Sequence, residues 1–265
     1  MQVLADDGAR IDASIDGRDR ERSVVLIHGF PFTRAVWTMQ SEALAKTFCV
    51  VSPDLRGAGN SSAPQGPYLM ERLAADIAAL LDALGIERSA FVGHSMGGYV
   101  ALAFARMFTE RVTHLALVSS RLRADTLQEA AARRGLADLV ESQDSMEPVI
   151  TAYMPRLLAP QTRASRADIA ERATEIARAI TGVGAAGALR GMALRAASDD
   201  IAGDLGVPVM VVAGGSDAVI PLEEARADAG RFERGRLVVC QSSGHLPMLE
   251  EPACVAEALE VWLNE

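Results

Sequence analysis

The sequence has few cysteines, no long apolar run and a deficit of positive charge. Its cysteines, Cys49, Cys240 and Cys254, are too few and too scattered for a disulfide framework, and the absence of a Cys-x-x-Cys pair argues against a zinc site. No apolar stretch reaches the roughly 18 residues that suggest a membrane span. The formal net charge of −9 disfavours nucleic acid and anionic membrane surfaces as partners. We therefore expect buried thiols, no metal, and neither a membrane nor a nucleic-acid partner.

The composition that remains is that of a globular protein. With 265 residues, of which 49% are hydrophobic, the chain can bury a substantial core, and we expect one domain with an insertion. The first eight residues lack the basic and then apolar profile of a signal peptide. These features predict a cytoplasmic protein that acts on a neutral small molecule.

Short apolar segments alternate with helical patterns over most of the chain. Continuous apolar strands of this kind are typical of a sheet that is covered on both faces. A helix is predicted over 73–84, with Gly85 as its cap. The pattern predicts an open, mostly parallel α/β sheet. Its strands are predicted at 24–27, 49–51, 90–92, 115–118, 207–213 and 237–240, after a hairpin of 3–4 and 11–15 that turns at Asp7-Gly8.

One region breaks this alternation. From 121 to 204 the sequence predicts only helices, so we expect a helical cap there, inserted into a core formed by 1–120 and 205–265. Residues 182–187 match the dinucleotide pattern G-x-G-x-x-G, but they follow a predicted helix and not a strand. We therefore predict a loop between cap helices at this position and no nucleotide cofactor.

A tight turn around Ser95 follows one of the predicted strands. Residues 93–97 read Gly-His-Ser-Met-Gly, between the strand at 90–92 and a helical stretch at 98–105. The turn in G-x-S-x-G is so tight that the serine adopts a strained backbone conformation, which requires small flanking residues. The strand before it and the helix after it make the match specific. The segment predicts a hydrolase nucleophile whose hydroxyl projects into a cleft.

A serine nucleophile needs a base, and His245 is the best of the four histidines. It follows the strand at 237–240 in a loop that can reach the carboxyl ends of the strands. His28 ends a strand, His94 is expected to point away from Ser95, and His114 precedes a core strand. The alternative for His245 is an ordinary surface-loop residue.

The carboxylate that orients the base is predicted to be Asp217. It lies in a loop directly after the strand at 207–213, where it could hold the imidazole in the required tautomer. The alternative is a turn or helix-capping aspartate before Pro221. The chain order Ser95, Asp217, His245 is the one expected for a triad on this kind of sheet. Backbone N–H groups of Phe30 and Met96 are the predicted oxyanion donors.

Taken together, the chain resembles α/β-hydrolase-fold proteins of the esterase, enol-lactonase and cofactor-free haloperoxidase group over nearly its whole length. The resemblance implies an eight-stranded, mostly parallel sheet flanked by helices, with a helical cap. It also implies that Asp54 and Arg56 form a structural turn, which leaves Asp54 only as a reserve acid. The segments that carry the resemblance are His28-Gly29-Phe30-Pro31, Asp54-Leu55-Arg56-Gly57-Ala58-Gly59-Asn60-Ser61, Gly93-His94-Ser95-Met96-Gly97-Gly98, Gly215-Ser216-Asp217 and Gly244-His245.

The resemblance implies a cofactor-free serine hydrolase of carboxylic esters or lactones, including acyl-homoserine lactones. The alternatives are perhydrolase activity on the same triad, which Phe30-Pro31 beside the oxyanion donor favours, and a binding protein without turnover. Arg121 and Arg123 could pair with a substrate carboxylate, although a solvated helix face is the favoured interpretation. Candidates for an apolar, adaptable pocket wall, each equally compatible with ordinary core packing, are Phe30, Met96, Met146, Met154, Met192, Leu246 and Met248.

Overall fold

The computed structural model describes residues 1–265, and its centre is one eight-stranded sheet. The strand order is β1-β2-β4-β3-β5-β6-β7-β8. β2 pairs antiparallel with β1 and with β4, and every other neighbouring pair is parallel, which confirms the predicted hairpin and the mostly parallel sheet. The strands are β1 (Gln2–Leu4), β2 (Arg10–Asp16), β3 (Ser23–Ile27), β4 (Cys49–Pro53), β5 (Ser89–His94), β6 (Val112–Val118), β7 (Val209–Gly214) and β8 (Gly235–Cys240).

Twelve α-helices connect and cover these strands, together with short 3₁₀ helices at Arg34–Trp37 and Thr109–Arg111. None of the helices combines the length and the apolar composition that crossing a membrane requires. The helices are α1 (Thr38–Leu44), α2 (Met70–Leu84), α3 (Met96–Met107), α4 (Leu127–Gln143), α5 (Glu147–Leu157), α6 (Pro160–Ser165), α7 (Ala167–Ala177), α8 (Gly182–Ala193), α9 (Asp199–Ala202), α10 (Leu222–Ala229), α11 (Pro247–Glu250) and α12 (Pro252–Trp262).

The core lies around the central strands of the sheet. Every residue of β3, β4, β5 and β7 is buried, as their continuous apolar sequences predicted. Phe91 of β5 packs against Phe104 of α3 with ring centroids 4.2 Å apart. Helix α2 ends at Gly85, which adopts the left-handed conformation (φ 66°) that favours glycine and donates its N–H to carbonyls of the last turn. The sheet is thus a rigid support for the loops at its carboxyl edge.

Helices α4 to α9 all lie between β6 and β7 in the chain. The prediction of a loop at 182–187 was wrong, because these residues form the first half of α8, which Thr181 caps at its N-terminus. A Cβ at Gly184 would collide with the carbonyl oxygen of Gly57, and one at Gly187 would collide with the ring of Tyr68. The glycines therefore allow α8 to pack closely against another segment of backbone, which explains their spacing without any phosphate group.

The expectation of three buried thiols also needs a correction. Cys49 is a buried free thiol, and burial raises its pKa. Cys240 and Cys254, however, form a disulfide. Cys240 ends β8 and Cys254 lies in the first turn of α12, and the packing of that helix against the sheet brings their Cα atoms to 6.1 Å. Counting and spacing of cysteines could not predict a proximity that tertiary packing creates.

Candidate active site

Ser95 lies in a strained turn between the end of β5 and the start of α3. Its backbone has φ 49° and ψ −113°, outside the conformations that residues with a side chain normally adopt. A Cβ at Gly97 would collide with the backbone of Ile27, and a Cβ at Gly93 would collide with the Gly97 carbonyl. The glycines on either side are therefore required by contact with neighbouring backbone, as the motif predicted.

Hydrogen bonds from the next strand hold this turn in place. The Ser95 N–H donates to the carbonyl of Val118, the last residue of β6, at 2.9 Å. Ser120, just after β6, donates its hydroxyl to the Ser95 carbonyl at 2.8 Å. Because both backbone groups of Ser95 are bonded to the β6 side of the sheet, the strained conformation is fixed independently of any ligand.

Two loops at the same edge of the sheet bring His245 and Asp217 to Ser95. The Nε2 atom of His245 lies 3.0 Å from the Ser95 Oγ, and its Nδ1 lies 2.8 Å from the Asp217 Oδ2. In this arrangement Nδ1–H donates to the carboxylate and Nε2 is left to accept the serine proton. The side chains of His245 and Asp217 are 2% and 1% exposed, so water competes little for these bonds.

Asp217 is held as an anion by its own loop as well as by His245. Its Oδ1 accepts the N–H groups of Val219 at 2.7 Å and Ile220 at 2.9 Å, which is the turn role considered as the alternative. Burial alone would raise the pKa of the Asp217 carboxyl. The charge of His245, its hydrogen bond and the two backbone donors outweigh burial, so the pKa is lowered from its ordinary value. One carboxylate thus shapes the turn and faces the imidazole.

The backbone of His245 is fixed from two sides. Its N–H donates to the carbonyl of Leu157, the last residue of α5, at 2.7 Å. Its carbonyl accepts a hydrogen bond from the Nε2–H of His94 at 2.9 Å. Burial, together with the neighbouring charge of His245, lowers the pKa of His94 to about 3, so His94 stays neutral and keeps this donor. His94 therefore supports the His245 loop from below, a role that its sequence position did not suggest.

Glu250 makes a further connection that the sequence analysis missed. Its Oε1 accepts the N–H of Gly244, beside His245, and its Oε2 accepts the N–H of Ala159, just beyond α5, each at 2.8 Å. Glu250 is 9% exposed, and burial raises the pKa of its carboxyl despite these donors. Glu250 thus connects the His245 loop to the segment after α5. No sequence pattern marks this connection, which becomes visible only in the structure.

The reserve acid Asp54 and its neighbour Arg56 have the structural surroundings expected of them. Asp54 accepts the backbone N–H groups of Arg34 at 2.9 Å and Asn60 at 3.1 Å. The buried Arg56 guanidinium forms ion pairs with Asp7 and Asp76 at 2.8 and 2.7 Å. Their partners therefore lie within the loop after β4 and the elements around it, and none of them is His245.

The remaining two histidines also have partners of their own. His28 accepts the N–H of Leu55 at Nε2, at 2.9 Å, and bonds the Gly29 carbonyl through Nδ1, at 3.0 Å. His114 packs edge-on against Trp262, with ring centroids 5.1 Å apart. Among the four histidines, His245 is thus the one bonded to the Ser95 hydroxyl.

The backbone donors proposed for an oxyanion lie next to this group. Phe30 follows β3 and lines the same cavity as Ser95, and its N–H makes no hydrogen bond within the protein. Met96 is the first residue of α3, so its N–H has no acceptor in the helix. The positive end of the helix dipole lies at this position. Both groups are available to a ligand, and their role stays a prediction.

Above Ser95 lies a cavity of about 310 Å³ between the sheet edge and helices α4, α5 and α8. Of the seven candidates for its wall, Phe30 and Met192 line it. The other five are not among the lining residues: Met96, Met146, Met154, Leu246 and Met248. Helix α5 turns Tyr153 and Leu157 toward the cavity in place of Met154. The lining residues are Phe30, Ser95, Tyr99, Arg121, Glu129, Ala132, Arg133, Leu136, Ala152, Tyr153, Arg156, Leu157, Met192, Val219 and His245.

Arg121 does not belong to a solvated helix face, contrary to the favoured interpretation. Its side chain is 6% exposed and lines the cavity. The guanidinium donates to the Val219 carbonyl and lies 3.3 Å from Glu224. Arg123 is partly exposed and binds Glu129 and Glu224 at 2.8 and 3.0 Å. The burial of Arg121 could not be predicted from the sequence, because its partners Val219 and Glu224 lie about a hundred residues away in the chain.

The chain is similar to known proteins in both sequence and structure. A family model described as alpha/beta hydrolase fold matches residues 22–252, so the chain belongs to this family. A thermophilic esterase from Thermogutta terrifontis, solved with malate bound, superimposes with a TM-score of 0.96 at 34% identity, covering 100% of this chain and 97% of its own. The 3-oxoadipate enol-lactonase 2 of Acinetobacter baylyi is 27% identical over 226 residues, which are 85% of this chain and 82% of that protein.

A more distant structure shows the fold alone. The enol-lactonase from Burkholderia xenovorans has a TM-score of 0.91 at 24% identity, with complete coverage of both chains. The chain is therefore an α/β hydrolase whose relatives include esterases and enol-lactonases.

Proposed function

We propose that the protein is a serine hydrolase that cleaves carboxylic esters or lactones through an acyl-Ser95 intermediate. The observation that carries the proposal is the continuous chain of hydrogen bonds from Ser95 Oγ through His245 to Asp217, at 3.0 and 2.8 Å, beside a cavity that a small molecule can enter. Nucleophile, base and orienting acid within bonding distance are the arrangement that acyl transfer requires.

Acylation follows from the positions of these atoms. As Ser95 Oγ forms a bond to the substrate's acyl carbon, its proton passes to His245 Nε2, and the Asp217 carboxylate stabilises the resulting imidazolium. The carbonyl oxygen becomes an oxyanion that the N–H groups of Phe30 and Met96 can bind. When the bond to the leaving alcohol breaks, that oxygen takes the proton from Nε2, and the acyl group stays on Ser95.

Deacylation repeats these steps with water. Neutral His245 removes a proton from a water molecule that attacks the acyl carbon, and the returning proton restores the Ser95 hydroxyl as the carboxylic acid leaves. For a lactone the leaving alcohol stays attached to the acyl group, so one hydroxy acid is the product. No step needs a cofactor.

The cavity indicates which substrates to test first. A volume of about 310 Å³ is at the low end for ligand pockets, and its apolar residues include Phe30, Leu136, Leu157 and Met192. This size favours short acyl esters and small lactones over long-chain esters. Acyl-homoserine lactones with short tails belong to the same range and stay in the test set.

The test compares wild type with Ser95→Ala on chromogenic acetate, butyrate, octanoate and laurate esters, beside an acyl-homoserine lactone series. Ser142→Ala is the control, because it removes an exposed hydroxyl in α4. We expect turnover that is highest on short esters, is lost about a millionfold in Ser95→Ala and is kept in the control. Ser95→Ala should fold normally, since the core is untouched. Equal turnover of wild type and Ser95→Ala would refute the proposal, whereas Ser95-dependent formation of peracid from acetate and peroxide, without ester turnover, would assign the perhydrolase activity.

A further inference from the structure

The cavity above Ser95 is cationic, although the protein as a whole is acidic. Three arginines and one glutamate line it, whereas the chain has a formal net charge of −9. An excess of one sign of charge in a concave site attracts ligands of the opposite sign. What matters for a ligand is which of these charges already has a partner.

Arg133 is neutralised by the protein itself. Its Nε lies 2.5 Å from the buried carboxylate of Asp125, and its Nη1 bonds the Tyr153 hydroxyl at 3.2 Å and contacts the Met192 sulfur at 3.4 Å. The guanidinium therefore organises the wall between α4, α5 and α8. Its donors are directed at the protein.

Arg121 and Glu129 are also committed to protein partners. Arg121 donates to Val219 O and lies close to both Glu129 and Glu224. Hydrogen bonds from Arg123, together with those from Thr126, hold the pKa of the Glu129 carboxyl well below its usual range. Glu129 is thus an anion that Arg123 neutralises in a two-point contact, with bonds of 2.8 and 2.9 Å. It does not neutralise Arg156, the remaining arginine of the cavity lining.

Arg156 is different: it is an exposed residue of the cavity lining, and its side chain makes no hydrogen bond or ion pair to the protein. It lies on α5 with Tyr153 and Leu157, at the i, i+3 and i+4 spacing that places side chains on one face of a helix. The carbonyl of Leu157, the next residue, accepts the His245 N–H at 2.7 Å. The unpaired guanidinium is therefore carried by the turn of helix that contacts the His245 loop.

We infer that Arg156 is a specificity-determining residue that binds a carboxylate on the substrate, so that the preferred substrates are anionic short-chain esters such as half-esters of dicarboxylic acids. This inference rests on the proposed function and names its substrate class. A guanidinium presents a planar pair of donors that matches a carboxylate, and the Arg156 side chain has no protein partner that would compete for these donors. The small cavity keeps the carboxylate close to the acyl carbon, which favours a short spacer between the two.

The test measures selectivity between two esters of equal chain length, the neutral 4-nitrophenyl butyrate and the anionic mono-4-nitrophenyl succinate. In Arg156→Ala we expect the ratio of kcat/KM for the succinate to that for the butyrate to fall about tenfold. Arg156→Lys should keep part of the preference, because it retains the charge but loses the fork. Arg163→Ala, which removes an exposed arginine that makes no side-chain bond and lies outside the cavity, should leave the ratio unchanged.

A binding measurement separates this inference from the proposed function. NMR titration of the Ser95→Ala protein with monomethyl succinate and with methyl butyrate needs no turnover. We expect the succinate to bind more tightly, and its Kd to rise about tenfold when Arg156→Ala is added. An unchanged Kd and an unchanged selectivity ratio would overturn the role of Arg156. Ester turnover that survives Ser95→Ala would instead overturn the proposed function, whatever the titration gives.

Discussion

The carboxyl edge of the sheet and the helical insertion form the two walls of the cavity, and they are built differently. At the sheet edge, the backbone N–H groups of Ser95 and His245 donate to the carbonyls of Val118, in β6, and of Leu157, at the end of α5 in the insertion. In the insertion, which comprises the segment between β6 and β7, side chains bind one another, as Arg133 binds Asp125. The side chain of Arg156 has no such partner. Backbone anchoring fixes a geometry that side-chain changes elsewhere disturb little. If the proposed function holds, bond cleavage belongs to the sheet edge and substrate choice to the insertion.

Asp217→Asn, at the sheet edge, is expected to cause the largest loss of activity. The amide oxygen can still accept the N–H groups of Val219 and Ile220, but the amide nitrogen then faces His245 Nδ1. The imidazole would carry its proton on Nε2 and could not accept one from Ser95. We expect kcat for the butyrate ester to fall about 10⁴-fold with little change in KM. Asp204→Asn, an exposed aspartate, is the control, and a mainly KM effect of Asp217→Asn would contradict the division between the walls.

Glu250→Gln tests the contact between the His245 loop and the end of the insertion helix α5, which Glu250 connects. Both carboxylate oxygens accept backbone N–H groups, one from the His245 loop and one from Ala159, whereas glutamine has one such oxygen. One donor would face an NH₂ group, which destabilises the fold by about 1–3 kcal/mol. The displaced loop should lower kcat roughly tenfold and leave KM nearly unchanged.

The matched control for this change is Glu257→Gln, at an exposed position of α12. Steady-state kinetics and urea unfolding of both variants check the expectation. If Glu250→Gln raised KM and left kcat intact, Glu250 would belong functionally to the insertion and not to the triad's support.

The smallest expected effect is on how the stability of the fold depends on pH through His94, which supports the His245 loop. The unfolded chain protonates His94 near its ordinary pKa of 6.5, whereas the folded protein keeps it neutral down to about 3. Between these values the unfolded state binds the extra proton, so the free energy of unfolding falls as pH drops from 6.5 toward 3, by about 1 kcal/mol per pH unit from this residue.

His94→Gln is expected to flatten that dependence, since its amide keeps a donor for the His245 carbonyl but does not titrate. Urea unfolding of both proteins at several pH values from 7 to 4 measures the difference in slope. Buried His28, whose pKa is also lowered, contributes equally to the two proteins. Parallel curves would mean that His94 takes up its proton equally in the folded and unfolded states, which would contradict a lowered pKa.

Much of the sheet edge could be predicted from the sequence. Apolar segments marked the strands, and the glycines around Ser95 marked a turn that only small residues permit. The order of Ser95, Asp217 and His245, each just after a strand, predicted that they would meet, and the structure brings them within hydrogen-bond distance. These predictions work because strand ends converge on one edge of a parallel sheet, so local patterns determine long-range neighbours.

The lining of the cavity and the disulfide could not be predicted from the sequence. Tyr153, Arg133 and Arg156 carry no local signal of a cavity, and Met154 was as good a candidate as its neighbour until the rotation of α5 was known. Cys240 and Cys254 became a pair only through the packing of α12. Short-range sterics and hydrophobic patterning thus encode the sheet, the turn at Ser95 and the order of the triad, so these could be predicted before the fold was known. The helix faces that line the cavity and the charges that lack a partner there depend on how separate helices pack together, so they could not.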